Sequence, residues 1–389
     1  QNPMLIGQYP YGYYAVLAAW MAAVHFVDPD PLAVFYGARL LSVILLGATL
    51  LLVHGALRET GLSPRRALML TAVTGLFPLT SFVASYVQPE NLAWTAGSAA
   101  LLAAAKLRKR RGSLPWLLCL GSAVGVVGVT KAQYVPYLLI ATLGAALIPY
   151  AAEWRRLLPD LPKLALAAVP ALALESVDLW VLAGRHVGFS TQHLKNGTTL
   201  AGAADALHSG PLGFASFLGR GILQTFFDFF VVGIPSLSFW GDFGWLDTPL
   251  VVGTVWVRLL IAAATILILV LVALRLFKLG RLVLGCLRRG RLDRAWALVF
   301  GNPVVLTYLL WTAAAFAITV LSANSVAVQG RYWIVILPGV FLTAVEFAPR
   351  ALSTRRARRA VSRAALVGLL AYALAGSVSA LMTVHEPAS

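Results

Sequence analysis

Residues 33–57 read AVFYGARLLSVILLGATLLLVHGAL, and this stretch decides the fold class. Its 25 residues would rise about 37 Å as an α-helix, which is enough to cross the roughly 30 Å hydrocarbon core of a bilayer. Only Arg39 and His54 interrupt the run. Its apolar residues are continuous rather than alternating, which argues against a transmembrane β-strand. The stretch therefore predicts a membrane-spanning helix.

Similar apolar runs recur along the chain, so we expect an all-α polytopic membrane protein with a single transmembrane domain over residues 1–389. The ten predicted spans are 33–57, 67–87, 91–105, 114–130, 132–151, 163–184, 249–274, 296–320, 332–349 and 364–383. Residues 10–26 are also apolar, but they are short and rich in Tyr and Trp. Because these aromatic residues favour the membrane interface, we expect a helix lying at the outer surface rather than an eleventh span.

Composition supports the same class. The chain is 59% hydrophobic and only 12% charged, with a mean hydropathy of +0.81, which leaves too little polar surface for a soluble domain. The net charge of +16 could suggest nucleic acid, but 24 of the 31 Lys and Arg residues fall in loops on one side of the predicted spans. The positive-inside rule places those loops in the cytoplasm. We therefore expect no nucleic-acid partner, and the long segment 185–248 and both chain ends should lie outside.

Ionisable residues at the outer ends of the spans are the candidates for function, because charge is costly inside a membrane. Glu90 follows Pro89 at a predicted helix start, where the helix dipole favours a carboxylate. It is either a helix-start acid or a group that binds a ligand or acts as a base. Lys131 interrupts two apolar runs at another outer turn. Its ammonium could hold a phosphate or extend to the lipid headgroups.

Arg331 begins the predicted span at 332–349, directly after Gln329 and Gly330 and before Tyr332. A guanidinium suits phosphate oxygens, and we favour that role over anchoring at the interface. Gly121 and Gly125 form a small-xxx-small pair that should serve helix packing.

Glu175 and Asp178 share one face of a predicted helix. We favour structural pairing with Arg39, Arg185 or Arg258 over catalysis. The segment 239–249 places aromatic rings beside carboxylates. Such a combination suits sugar rings, and it also suits a belt at the membrane surface. That segment contains Trp240, Asp242, Trp245 and Asp247.

Five stretches, taken in order, resemble the bacterial membrane-protein family DUF2142, which looks related to the lipid-dependent glycosyltransferases of the GT-C fold. They are QYPYGYY at 8–14, ARLLS at 38–42, SYVQPEN at 85–91, WGDFGWLDTP at 240–249 and QGRY at 329–332. The resemblance implies a GT-C-like fold in the bacterial plasma membrane. It also implies a further span and an acid-bearing loop before Gln1, since residues 1–9 contain no Asp or Glu.

The function that the resemblance implies is transfer of a sugar from a polyprenyl-phosphate donor to a cell-envelope glycan on the outer face. Glu90 would be the acid, base or metal ligand, and a divalent cation is one open possibility. The substrate-binding candidates are Arg331, Lys131, Gln329, Tyr332, Trp245, Asp247, Asp242 and Arg39. The alternatives are a transporter or flippase of a lipid-linked saccharide, which would use the same cationic cavity without bond chemistry, and a structural partner in envelope assembly.

Overall fold

The structure is a computed structural model and describes residues 11–110, 112–131, 157–183, 208–227, 242–243, 248–249, 255–292, 294, 295, 298 and 337–384. Within these residues the chain is almost entirely helical. The helices are α1 (Gly12–Val27), α2 (Pro31–Glu59), α3 (Pro64–Leu76), α4 (Pro78–Ser85), α5 (Pro89–Lys109), α6 (Leu114–Gly128), α7 (Leu157–Ala183), α8 (Gly210–Phe227), α9 (Val255–Arg288), α10 (Leu337–Leu342) and α11 (Arg355–Val384). A π-helical turn (Thr343–Phe347) and a 3-10 turn (Ala348–Ala351) follow α10, and β1 (Asp242–Phe243) pairs antiparallel with β2 (Thr248–Pro249).

Four consecutive helices, α2 to α5, have proline as their first residue. Proline suits this position because the first amide groups of a helix have no intrahelical acceptor. Two of these starts are also capped by side chains. Asp30 accepts a hydrogen bond from the Leu32 amide at 3.0 Å, and Ser63 accepts one from the Arg66 amide at 3.4 Å. Local sequence thus fixes where these helices begin.

The helix α5 lies at the centre of the described bundle, packed between α2 and α6. Its Trp94, Ala100 and Leu101 are at most 1% exposed, and the Thr95 hydroxyl lies 2.8 Å from that of Thr49 on α2. Small and hydroxyl-bearing residues let membrane helices approach closely and hydrogen-bond to one another. Because the neighbours of α5 are protein rather than lipid, its own sequence needs only a modest hydropathy.

The predicted packing role of Gly121 and Gly125 is confirmed. A Cβ atom added at Gly121 would overlap the Ala167 carbonyl oxygen, and one at Gly125 would lie 2.7 Å from Ala171 Cα. Both glycines therefore face α7, and any larger residue would separate α6 from α7.

The predicted single span at 67–87 is broken into two helices. α3 and α4 meet at 58°, and Phe77 between them has extended backbone angles, with ψ at 135°. The physical reason is Pro78, which disfavours helical geometry in the residue before it. The Phe77 ring packs against those of Phe341 and Tyr372, with centroids 5.1 and 5.8 Å away. The bend thus joins α3 and α4 to α10 and α11.

The basic segments predicted to be cytoplasmic meet at one end of the bundle, which we call the basic end. There Glu59, the last residue of α2, lies 2.5 Å from Lys106 and 2.7 Å from Lys109 near the end of α5. At the start of α3, Arg66 lies 2.6 Å from Glu346. These contacts bring together loops that are far apart in sequence. Which side of a membrane this end faces stays a prediction.

Two of the described helices are long and apolar enough to cross a membrane, namely α2 and residues 355–378 of α11, and the bent pair α3–α4 would be a third. The count of ten spans stays a prediction, since 132–151 and nearly all of 296–320 lie outside the described residues. The helix α8, inside the segment 185–248, was not predicted. The helix α9 continues 14 residues past the predicted end at 274 to Arg288.

Candidate functional site

Three sequence-predicted motifs come together at the end of the bundle opposite the basic end. We call the group formed by Tyr13, Ser42, Tyr86, Gln88, Glu90, Asn91 and Lys131 the Glu90 cluster. Ser42 and Glu59 are 17 positions apart along α2, a rise of about 26 Å. The two ends of the bundle are thus separated by nearly the thickness of a hydrocarbon core.

The turn between α4 and α5 is held by side chains of the motif at 85–91. The Tyr86 carbonyl accepts hydrogen bonds from the side-chain amide of Asn91 at 2.9 Å and from the Ser42 hydroxyl at 3.0 Å. The side-chain amide of Gln88 donates to the Val83 carbonyl at 2.9 Å. The sequence Gln-Pro-Glu-Asn therefore builds a rigid turn, which α2 braces through Ser42.

Glu90 and Lys131 form a buried ion pair. The Lys131 Nζ lies 2.7 Å from the Glu90 Oε1, and their side chains are 4% and 3% exposed, respectively. Glu90 sits in the first turn of α5, as predicted. The backbone amide of Lys131, just past the end of α6, donates to the Val127 carbonyl at 2.8 Å. Removing two charges from water carries a desolvation penalty even when they are paired, so burial of this pair contributes little net stability.

The start of α1 covers this pair. The Gly12 amide donates to the Val129 carbonyl at 2.8 Å, and a Cβ atom at Gly12 would lie 2.6 Å from the same oxygen. Farther along, the Trp20 indole donates to the Gly37 carbonyl at 2.7 Å. The helix predicted at 10–26 is therefore observed and is attached to α2 and to the end of α6. Its place at a membrane surface stays a prediction.

Tyr13 is the functional candidate that sequence reasoning missed. Its side chain is fully buried, and among the described residues its hydroxyl makes no hydrogen bond of ordinary geometry. Burial raises the pKa of this phenol to about 12, a shift that the nearby Ser42 opposes and the Glu90 carboxylate reinforces. The phenol therefore keeps its proton at neutral pH. The available signal in the sequence was the glycine at position 12, directly before Tyr13.

The remaining predicted site residues are not brought to the cluster by the described part of the chain. Arg39 lies on the exposed side of α2, with its guanidinium 4.8 Å from the Phe35 ring centroid. Asp242 pairs with Pro249 in the β1–β2 ladder. The other predicted substrate-binding residues lie outside the described residues, namely Gln329, Arg331, Tyr332, Trp245 and Asp247.

The predicted pairing of Glu175 and Asp178 stays a prediction. Both residues lie in α7, and Arg185 is outside the described residues.

The cluster's described residues do not fit a divalent cation. Such ions require several oxygen ligands, whereas Glu90 is the cluster's only carboxylate and is engaged by an ammonium group. In the described part of the chain, no three His, Cys, Asp or Glu residues are grouped as a metal site would require. We therefore assign no role to a metal. The buried ionisable groups of the cluster are one acid, one cation and one phenol, namely Glu90, Lys131 and Tyr13.

Comparison with known protein families identifies a model that covers most of the chain. The family model described as "Predicted membrane protein (DUF2142)" matches residues 4–340, which is most of the chain and includes every residue of the Glu90 cluster. No curated protein and no solved structure matches.

Proposed function

The chain belongs to the DUF2142 family of predicted membrane proteins, and from that premise we propose that it is a membrane glycosyltransferase of the GT-C type. It would move a sugar from a polyprenyl-phosphate donor to a cell-envelope glycan on the outer face of a bacterial plasma membrane. The observation that carries the proposal is the buried Glu90–Lys131 pair beside the buried Tyr13 hydroxyl. These groups supply the base, the cation and the donor that such a transfer needs.

The cation of the pair is the first element of the mechanism. The phosphate of the donor offers the ammonium group a negative charge shared between two free oxygens, and this charge grows as the polyprenyl phosphate leaves. Donor binding would thus shift Lys131 from Glu90 to the phosphate. Arg331 would complete the clamp on the leaving group, where negative charge develops.

Released from its ion pair, Glu90 becomes the general base. The acceptor hydroxyl oxygen forms a bond to the anomeric carbon, and the bond from that carbon to the phosphate oxygen breaks. The polyprenyl phosphate leaves with the bonding electrons, and the hydroxyl proton passes to the Glu90 carboxylate.

Sugar recognition would draw on residues beyond the cluster. Trp245, Asp242 and Asp247 would hold the sugar ring, and Gln329, Tyr332 and Arg39 would line the donor path. Within the cluster, the Tyr13 hydroxyl would donate to a sugar or phosphate oxygen, since its proton is retained at neutral pH.

The test is a transfer assay on the full chain reconstituted in lipid nanodiscs. A panel of labelled polyprenyl-phosphate hexoses and pentoses is offered with envelope glycan, and both labelled glycan and released polyprenyl phosphate are measured. Loss of a general base should reduce the rate about 100-fold or more, so we expect that loss in Glu90→Gln. Glu59→Gln is the matched control, because Glu59 also pairs with lysines but at the basic end.

Two results would contradict the proposal. One is equal transfer by Glu90→Gln and the wild type. The other, measured in sealed vesicles, is movement of the labelled lipid-linked sugar across the bilayer with no release of polyprenyl phosphate. That second result would identify a transporter or flippase.

A further inference from the structure

A second charged site lies at the basic end of the bundle. A cavity of about 630 Å³ is lined by five arginines and one carboxylate, together with Val345, Pro349 and Ser362. We call it the arginine cavity, after Arg66, Arg350, Arg355, Arg358 and Arg359. Its volume is within the range of small-molecule sites. The proposed sugar transfer does not use it.

Charge in this cavity is far from balanced. Glu346 is the only acid in the lining, and it is shared by Arg66 at 2.6 Å and Arg350 at 3.8 Å. Within the described residues, Arg355 and Arg359 form no ion pair. Like charges held this close repel one another, so a multiply charged anion would stabilise the arrangement.

The neighbouring helix adds to the imbalance. Arg275 on α9 lies within electrostatic range of Arg350 and Arg358, and its buried Nε has no hydrogen-bond partner among the described residues. Lys278, one turn later, donates to the Ala351 carbonyl. The long helix α9 thus brings two further cations to a cavity whose lining holds a single acid.

The lining is also partly preorganised. Arg358 donates from Nε to the Leu352 carbonyl at 2.7 Å and from Nη2 to the Ser353 carbonyl at 3.0 Å. Along α11, residues 355, 358, 359 and 362 recur at the spacing of one helix face. These arginines are therefore presented together rather than spread around the helix.

We propose that the arginine cavity binds the phosphate group of an anionic ligand. Guanidinium groups bind phosphate oxygens in pairs of parallel hydrogen bonds, and several of them can share one phosphate. Basic pockets at the cytoplasmic ends of membrane helices bind lipid headgroups through this chemistry. The phosphate has two sources, the headgroup of an anionic phospholipid or a soluble phosphate ion.

The test measures binding to the purified full chain in neutral detergent. The probes are short-chain phosphatidylglycerol, short-chain phosphatidylcholine and inorganic phosphate at constant ionic strength, with binding read by native mass spectrometry and thermal unfolding. The site variant is Arg355→Gln/Arg359→Gln. Its matched control is Arg356→Gln/Arg363→Gln, because these arginines are exposed on the same helix but do not line the cavity.

We expect the site variant to bind the anionic probe that the wild type binds about tenfold more weakly or worse. The control variant should change the affinity for that probe by less than about twofold. Binding of phosphatidylglycerol alone would identify a lipid headgroup as the source. Binding of inorganic phosphate as well would identify a soluble one. Equal losses in the two variants would overturn the proposal, because they would indicate diffuse attraction to a basic surface. No binding of either anion would also overturn it.

Discussion

Glu90 and Lys131 are 41 residues apart in sequence, yet their charged atoms lie 2.7 Å apart. The reason is the hairpin formed by α5 and α6. Its turn lies near Gly112, whose φ of +64° favours glycine, and the two residues are almost equally distant from that turn along antiparallel helices. The pair therefore closes the hairpin at the end opposite its loop.

The first prediction concerns this pair's effect on stability. Glu90→Gln or Lys131→Met alone should lower the free energy of unfolding by about 3–5 kcal/mol, since each leaves the other charge buried without its partner. The double variant Glu90→Gln/Lys131→Met should recover most of that loss. Denaturation in mixed detergent micelles measures all three changes.

The control for that experiment is the less deeply buried ion pair of Lys106 with Glu59 at the basic end. Because Lys106 is about a third exposed, Lys106→Met should change the free energy of unfolding by no more than about 1 kcal/mol. Additive losses in the Glu90/Lys131 double variant would show that the two residues are not coupled and would refute the prediction.

The second prediction separates stability from function at Tyr13. Tyr13→Phe removes a hydroxyl that makes no hydrogen bond of ordinary geometry among the described residues, so the free energy of unfolding should change by less than about 1 kcal/mol. Sugar transfer should nevertheless fall if this hydroxyl donates to the substrate. A variant as active as the wild type would remove Tyr13 from the site.

The third prediction tests the contact between α6 and α7. Gly121→Ala places a methyl group against the Ala167 carbonyl and should cost about 1–3 kcal/mol of unfolding free energy. Gly47→Ala is the control, since no atom lies within 4 Å of its added Cβ. That substitution should be neutral or stabilising, because alanine favours a helix. Equal effects of the two substitutions would contradict this packing.

The fourth prediction concerns orientation. In a chain from which Cys119 and Cys286 have been removed, Asp28→Cys and Arg356→Cys place single thiols at exposed positions at opposite ends of the bundle. The positive-inside rule predicts that a membrane-impermeant maleimide labels the first variant in intact cells and the second only after lysis. The reverse pattern would invert the topology.

Much of the helical framework could be predicted from sequence, because long apolar runs leave few alternatives. The run 33–57 became α2, and its limits are marked by Pro31 and Glu59. The break at Phe77 could not be predicted from the apolar run, which continues through it. Membrane helices often tolerate proline, so Pro78 alone does not reveal whether the chain bends there.

The site was predicted only in part. Glu90 and Lys131 were each identified by the cost of charge near a membrane, but their pairing was not. The signal was their nearly equal spacing from the turn at Gly112, which identifies an antiparallel hairpin. Tyr13 gave a weaker signal, because an aromatic residue in an apolar helix looks the same at a membrane surface as in a buried cluster.

The most direct test of the central claim is binding of farnesyl phosphate, a short polyprenyl phosphate, to the full chain in nanodiscs, with farnesol as the phosphate-free control. The account predicts that the wild type and Glu59→Gln/Lys106→Met bind farnesyl phosphate in preference to farnesol. It also predicts that Glu90→Gln/Lys131→Met loses that preference. Equal preference in all three proteins would show that the buried pair holds no phosphate and would contradict the account.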